Sequence, residues 1–339
     1  MGKNEQMNRK VKIIRDLLFV VGMLVLSWMV YKVGIGNIWE NIKDTGWWFF
    51  AIVGIWAIVY TFNGLAFHVI LRGGNGCEEV SLLRKIKLMI SGFAINSMTP
   101  IGLLGGEPYK VFELKEYVGI DRATSGVLLS TMMHFLAHFI FWMVSVPIFI
   151  FVVPVIPLGI KLMLWGVVIG GFLLTYWAFT VFRKGLIRQA LRVAARIPFA
   201  KKKVRAYAAQ HAERIEVMDS LTSELFINRK KDFFLALSFE VIARFLSSIE
   251  IMFMAIPLGI HLTVFQCIIV AAFSSLFANI LFFSPMQLGT REGGFGIAFS
   301  MLTIPLGVGV YVGLITRIRE MFWIAIGVIL MRIKPSKNL

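Results

Sequence analysis

The sequence has few charged residues, and acidic ones are especially scarce. Asp, Glu, Lys and Arg make up 16% of the 339 residues, and 19 acidic residues stand against 35 basic ones, for a net charge of +16. There are only two cysteines, Cys77 and Cys267, and their spacing matches no metal or redox motif. No GxxxxGK[ST] nucleotide-binding motif occurs. The sequence therefore predicts free thiols, no cofactor and no nucleotide-driven step.

Apolar residues, by contrast, are abundant. They form 58% of the chain, and the mean hydropathy is +0.78. The runs Leu17–Tyr31, Trp47–Leu71 and Leu162–Phe182 are suitable for bilayer helices. No small-residue cleavage site follows the first run, which predicts a retained anchor. We expect the positive charge to meet anionic lipid headgroups, not nucleic acid.

The distribution of Lys and Arg predicts the orientation of the chain. The first fifteen residues, the tail beyond Met331 and the connector 183–231 are basic, and the connector holds thirteen basic residues against four acidic ones. Basic loops stay cytoplasmic. We therefore expect an integral protein of the plasma (inner) membrane with both termini cytoplasmic. The connector fits a helical hairpin on the inner leaflet, and binding of a partner protein is the alternative.

Two similar motifs lie almost two hundred positions apart. The first runs from Thr99-Pro100 through Gly105-Gly106 to Glu107, and the second from Ser284-Pro285 through Gly289 and Arg291 to Glu292. Pro and Gly predict breaks in helices. Matched broken helices in the two halves of a membrane protein indicate a transport site.

The charges of the loops agree with this pattern if both motif regions are re-entrant hairpins. The first, at 84–118, then enters the membrane from the cytoplasm, and the second, at 263–305, enters from outside. The predicted fold is then an all-α membrane protein, a single domain over 1–339, in which the two hairpins form an inverted repeat. It has about six transmembrane helices, at 13–34, 47–71, 123–153, 161–182, 233–256 and 307–331. The hairpin tips should meet at a polar cavity.

Ionisable residues within the predicted spans usually face the bundle interior and mark a pathway. Glu240 and Arg244 share one helix face, as do Arg317 and Glu320, and each pair also fits a structural role in which the charges neutralise each other. Arg319 points the opposite way, which predicts a partner on another helix or a wetter span. His134 and His138 fit cavity-lining roles better than metal ligation. The candidate substrate-binding residues are Gly105, Gly106, Glu107, Lys110, His134, His138, Glu240, Arg244, Gly289, Arg291, Glu292, Arg317 and Glu320.

These donors suit a phosphate, because arginine can bind it with two parallel hydrogen bonds. The carboxylates Glu107 and Glu292 can orient arginines, bind a lipid amine or carry a proton. A phospholipid headgroup fits such a mixed cavity, so membrane lipids are the expected partner.

The motifs Gly105-Gly106-Glu107-Pro108-Tyr109-Lys110 and Ser284-Pro285-x-x-Leu288-Gly289-x-Arg291-Glu292-Gly293-Gly294 resemble the lysylphosphatidylglycerol synthase transmembrane family, also described as flippase-like. The resemblance covers nearly the whole chain and implies handling of lipids such as aminoacylated phosphatidylglycerol or polyprenyl-linked sugars. The chain as given corresponds to the membrane domain, without an aminoacyl-transferase domain.

Three functions follow as expectations. The first is a lipid flippase or scramblase. The second is a membrane enzyme acting on lipid phosphates or lipid-linked sugars, with Glu107, Glu292 and His134 as acid or base groups; the sequence shows no activated nucleophile, so we expect no enzyme. The third is a scaffold that recruits a separate lipid-modifying enzyme through the connector.

Overall fold

A computed structural model describes residues 34–72, 80–98, 105–153, 156–196, 201–280 and 290–333, with Val20, Leu24, Ser27 and Tyr31 as isolated positions. Nearly all of the predicted first span therefore lies outside the described residues. The predicted breaks at Thr99-Pro100 and Ser284-Pro285, and the candidate Gly289, lie outside them too. Within these ranges the chain is helical, with short turns and no strands.

Fourteen α-helices are described. In chain order they are α1 Ile35–Thr45, α2 Trp48–Leu71, α3 Leu82–Met98, α4 Gly106–Val118, α5 Ile120–Val152, α6 Leu158–Lys184, α7 Leu186–Ala194, α8 Lys201–Gln210, α9 Ala212–Ile227, α10 Lys230–Ser248, α11 Glu250–Ala255, α12 Val264–Ile280, α13 Thr290–Met301 and α14 Leu306–Arg332.

Four segments are long and apolar enough to cross a membrane: Trp48–Leu71, Ile120–Val152, Leu158–Val181 and Lys230–Leu258. They correspond to the second to fifth predicted spans, within a few residues at each end. The predicted sixth span is the 27-residue helix α14, which carries three charged residues near its middle. That charge lowers its hydropathy, so its crossing of the membrane stays a prediction.

Three local features differ from the sequence-based expectations. The fifth span is interrupted at Ile249, so that Glu250 begins the separate helix α11. Helix α1, which no apolar run indicates, is bounded by Gly34 and Gly46 at positive φ (85° and 58°). Apolar positions at helical spacing from Val204 to Leu225 predict one continuous second helix for the connector hairpin, but it is divided at His211, whose backbone is not helical (φ −116°, ψ 25°).

The connector is attached to the membrane bundle. Asp219 on α9 accepts hydrogen bonds from the first backbone N–H groups of α7, those of Ile187 (2.7 Å) and Arg188 (3.1 Å). An acidic residue satisfies the free donors of a helix N-terminus, so Asp219 holds α7 against α9. Ser125 of α5 donates to the Met218 carbonyl at 3.1 Å, which ties α9 to the bundle. The basic segment is therefore a docked layer of helices.

Each predicted hairpin is seen as two helices in close contact. In the first, α3 and α4 cross at Gly92 and Gly106, where a Cβ on Gly106 would lie 2.3 Å from the Gly92 carbonyl oxygen. In the second, α12 and α13 cross at Ser274 and Gly294, with a corresponding distance of 2.8 Å to Ser274 Cα. Small residues let helix backbones approach closely in membranes. Gly106 and Gly294 are therefore packing positions.

Packing between helices follows an internal repeat. Helices α2 to α5 correspond in order to α10–α11, α12, α13 and α14: a long helix, a hairpin and another long helix. Contacts between the halves obey the same correspondence, because α14 packs against α3 while its counterpart α5 packs against α12. Such exchanged contacts are typical of two repeats related by a two-fold axis. Both hairpins and α14 share one apolar core.

The Gly106 crossing gives a direct stability prediction. We expect Gly106→Ala to lower the free energy of unfolding by about 1–3 kcal/mol, the usual range for overpacking, because the neighbouring atoms are backbone and cannot rotate away. The measurement is the temperature at which purified protein in detergent loses its monodisperse gel-filtration peak. Gly54→Ala on α2 is the matched control, since nothing lies within 4 Å of its added Cβ. Equal midpoints for the two variants would contradict the close crossing.

Candidate functional site

Polar side chains from separate helices face one another inside the bundle. Such groups are costly at membrane depth and cluster where they pair or line a pathway. They come from α2, α5, α10, α11, α13 and α14 and divide into two groups. The first, called the arginine cluster below, consists of Arg244, Glu250, Arg291, Arg317, Arg319 and Glu320. The second consists of Asn63, His134, His138 and Glu240.

Two interhelical ion pairs organise the arginine cluster. Arg291 on α13 pairs with Glu320 on α14. Arg319, only 2% exposed, pairs with Glu250, with Nε 3.2 Å from Oε2 and Nη2 donating to Oε1 at 3.2 Å. Trp56 on α2 also donates to Glu250 Oε2 at 2.6 Å, and its ring lies 4.0 Å from the Arg319 guanidinium carbon. Glu250 and Arg319 thus connect α2, α11 and α14.

Arg244 differs from these two arginines. Its guanidinium carbon lies 4.7 Å from the centre of the Phe141 ring, and Nη1 donates to Ser247 Oγ at a long 3.4 Å. It is within electrostatic range of Arg291 and Glu250, yet the described residues offer it no carboxylate within ion-pair distance. Arg244 is thus a cation held mainly by an aromatic ring.

Arg317 is buried on α14 and lies within electrostatic range of Glu320. The arginine cluster therefore gathers four guanidinium groups around two described carboxylates. The motif residue Glu292 adds a third carboxylate to this part of the sequence, but its side chain lies outside the described structure. Even with that residue counted, positive charge is in excess.

Buried hydrogen-bond donors without acceptors accompany that excess charge. Among the described residues, Arg244 Nε, Arg319 Nη1, the Tyr60 hydroxyl and Trp323 Nε1 are buried and have no hydrogen-bond partner. The Tyr60 and Trp323 rings pack edge-on with centroids 4.9 Å apart, and Tyr60 is in electrostatic range of Arg319. Buried polar groups are normally satisfied. Among the described residues, this region therefore has buried donors without acceptors, and an anionic group would supply acceptors.

The second polar group centres on Glu240. Its carboxylate oxygen Oε2 accepts from Asn63 Nδ2 at 2.9 Å and lies 2.9 Å from His134 Nδ1. The side chain of Glu240 is 2% exposed, whereas that of His134 is 53% exposed. The His138 ring lies 4.7 Å from the His134 ring. The expected i, i+4 pairing of Glu240 with Arg244 is thus replaced by contacts to α2 and α5.

In the first motif, Lys110 and Glu107 form an ion pair at 3.1 Å on α4, and the Lys110 chain packs over Gly92. Gly105 immediately precedes α4, and Gly106 begins it. In the described part of the chain, neither charge bonds to the arginine cluster. The structure therefore brings together His134, His138 and Glu240, and separately Arg244, Arg291, Arg317 and Glu320. The expected meeting of the hairpin tips concerns residues 99–104 and 281–289, which lie outside the described residues.

The structure also shows site residues that the sequence-based candidates omitted: Trp56, Asn63, Glu250 and Arg319. Glu250 and Arg319 carried a signal, since each is a charge within a predicted span. The sequence left open whether Arg319 meets another helix, and Glu250 on α11 is that partner. Trp56 carried no signal, because tryptophan is ordinary in an apolar helix.

Comparison with known proteins agrees with this picture of an integral membrane protein. The family model described as lysylphosphatidylglycerol synthase TM region matches residues 14–327 and so takes in every helix from α1 to α13 and most of α14. The curated proteins and the solved structures give no significant match. With the family model covering nearly its whole length, the chain belongs to the lysylphosphatidylglycerol synthase transmembrane family, a family of membrane proteins tied to lipid biology.

Proposed function

We propose that this protein moves a lipid with an anionic headgroup between the leaflets of the plasma (inner) membrane. The lipid classes considered are an anionic phospholipid, an aminoacylated phospholipid and a polyprenyl-phosphate-linked lipid. The observation that carries the proposal is the arginine cluster, in which four guanidinium groups, buried or partly buried, meet two described carboxylates and in which buried donors such as Arg244 Nε and Arg319 Nη1 have no described acceptor. A phosphate oxygen would supply the missing acceptors.

The position of the cluster supports transport over simple surface binding. Arg317, Arg319 and Glu320 lie at the middle of the 27-residue helix α14. Arg291, within the second motif, lies in the first turn of α13. A helix N-terminus also favours anions through its free N–H groups. In this proposal the headgroup passes the cluster while its acyl or prenyl chains remain in the bilayer.

The ion pairs give each arginine a distinct role. Glu320 holds Arg291, and Glu250 with Trp56 holds Arg319, so these guanidinium groups are oriented before a headgroup arrives. Arg244 is held mainly by Phe141 and is therefore the cation best able to exchange its contacts for a phosphate. Orientation in advance lowers the cost of binding.

The test is translocation of labelled phosphatidylglycerol in proteoliposomes, followed with a membrane-impermeant quencher. We expect Arg291→Ala to slow translocation by at least about tenfold, because one charge-assisted hydrogen bond is worth about 1.5–3 kcal/mol. Glu292→Gln should also slow it, as the carboxylate follows Arg291 in the motif. Labelled phosphatidylcholine is the control lipid and should move more slowly, since its ammonium group opposes the excess positive charge. Unchanged translocation in both variants would refute the proposal.

A further inference from the structure

Four described glutamates of the helix bundle, all buried or partly buried, are of two chemical kinds. Glu107, Glu250 and Glu320 each pair with the amine of a lysine or the guanidinium of an arginine. Glu240 instead contacts a neutral amide and an imidazole, those of Asn63 and His134. Lysine and arginine stay charged near neutral pH, whereas histidine gains or loses its proton there. Glu240 is thus the one of these four glutamates whose described titratable partner is a histidine, in place of a lysine or an arginine.

That difference has an electrostatic consequence. An ionised carboxylate without a cation is very costly inside a membrane. Glu240 and His134 together are electrically neutral only when they hold one proton between them, on the carboxyl group or on the imidazole. The pairs made with Lys110, Arg319 and Arg291 are already neutral without an exchangeable proton.

The surroundings of the pair offer an entry route and a link to the arginine cluster. His134 is half exposed while Glu240 is enclosed, so the imidazole separates the carboxylate from the outside of the bundle. The charged and titratable neighbours are His138 on α5 and Arg244 on α10, one helical turn beyond Glu240. Facing helices add the amide of Asn63 from α2 and, from α12, Ser275, which accepts from Trp142 at 2.9 Å.

We propose that the Glu240–His134 pair is a proton-binding site that couples proton movement to lipid movement; this rests on the function proposed above. Arg244 follows Glu240 by one helical turn on α10 and interacts electrostatically with both His138 and Arg291. An anionic headgroup at the arginine cluster stabilises a proton at the pair, and a proton at the pair stabilises the headgroup. This reciprocity is a thermodynamic necessity of linked binding.

The test imposes a one-unit pH gradient across proteoliposomes, with the membrane voltage held at zero by potassium and valinomycin. The probe is labelled phosphatidylglycerol, whose charge does not change near neutral pH. If one proton moves with each lipid, the wild-type protein should enrich the label about tenfold in one leaflet, matching the tenfold proton ratio. Glu240→Gln should abolish the enrichment. His134→Asn should do the same, because the asparagine amide still donates a hydrogen bond but cannot carry the proton.

Asp232→Asn is the matched control, because Asp232 lies on the same helix, in an ion pair with Arg229 at 2.7 Å, and should keep the tenfold enrichment. An even label distribution with wild-type protein would overturn the coupling and leave lipid transport intact. Absence of any wild-type translocation would overturn the transport itself. Persistent enrichment in His134→Asn, or in a monodisperse Glu240→Gln, would overturn the assignment to this pair.

Discussion

Arg319→Ala is expected to destabilise the protein by about 3–5 kcal/mol, the usual cost of removing one partner of a buried ion pair. The substitution leaves the Glu250 carboxylate enclosed without its cation, with only the Trp56 donor. It also removes the cation from the face of the Trp56 ring, which is worth a further ~1–2 kcal/mol where water is excluded. Arg319→Ala therefore loses both the ion pair with Glu250 and the contact with the Trp56 ring. The measurement is the free energy of unfolding in detergent micelles under increasing denaturant.

The double variant Arg319→Ala/Glu250→Gln separates charge from packing. Glutamine keeps an oxygen for Trp56 but carries no charge, so the double variant should regain a large part of the lost stability. Arg319→Lys should lie between wild type and Arg319→Ala, since lysine keeps the charge but loses the planar contacts with Trp56 and Glu250. If the double variant is no more stable than Arg319→Ala, the buried charge is not the cause of the loss.

Arg244→Gln is expected to have the largest effect on transport with the smallest effect on stability. Phosphatidylglycerol translocation should fall by about 10- to 150-fold, which corresponds to a charge-assisted hydrogen bond of about 1.5–3 kcal/mol. Stability should change little, because no described carboxylate depends on Arg244 for its charge balance. Translocation and thermal stability are measured on the same preparation.

The control for Arg244→Gln is Arg188→Gln on the connector helix α7. That arginine is about half exposed and approaches Glu216 no closer than 3.9 Å, in a contact of little energetic value. The Arg188→Gln substitution removes the same charge at a position outside the arginine cluster and should leave translocation near wild type. Equal losses in both variants would indicate a general effect of net charge, and a large stability loss in Arg244→Gln would indicate a structural role for this arginine.

The long spans could be predicted from the sequence because the length of an apolar run is a local property of the chain. Trp48–Leu71 and Ile120–Val152 are apolar over bilayer length, and their ends agree with the expectation within a few residues. Helix α1 was not accessible, since its bounds depend on two glycines at positive φ and it has no apolar run. The interruption at Ile249 is likewise invisible in a periodic apolar pattern.

The pairing of the charged residues was harder to predict from the sequence than their presence within the spans. Spacing placed Glu240 with Arg244, and Arg317 with Glu320, because residues three or four apart share a helix face. The structure bonds Glu240 to His134 and Glu320 to Arg291, on other helices. Neighbouring side chains on one helix point away from its axis in diverging directions, whereas two packed helices can bring the ends of their side chains into contact. Partner choice therefore depends on helix packing, which a single sequence does not show.

Helix α2 belongs to the first half of the sequence, but its polar side chains bond to residues of the second half. Asn63 binds Glu240, and Trp56 binds Glu250 and covers Arg319. The same helix packs closely along α10 and α11. Each half thus lends an element to the other, as in a domain-swapped dimer whose two subunits happen to share one polypeptide. The basic connector supplies continuity of the chain, while cohesion between the halves comes from these contacts of α2 together with those of α14 with α3 and of α5 with α12.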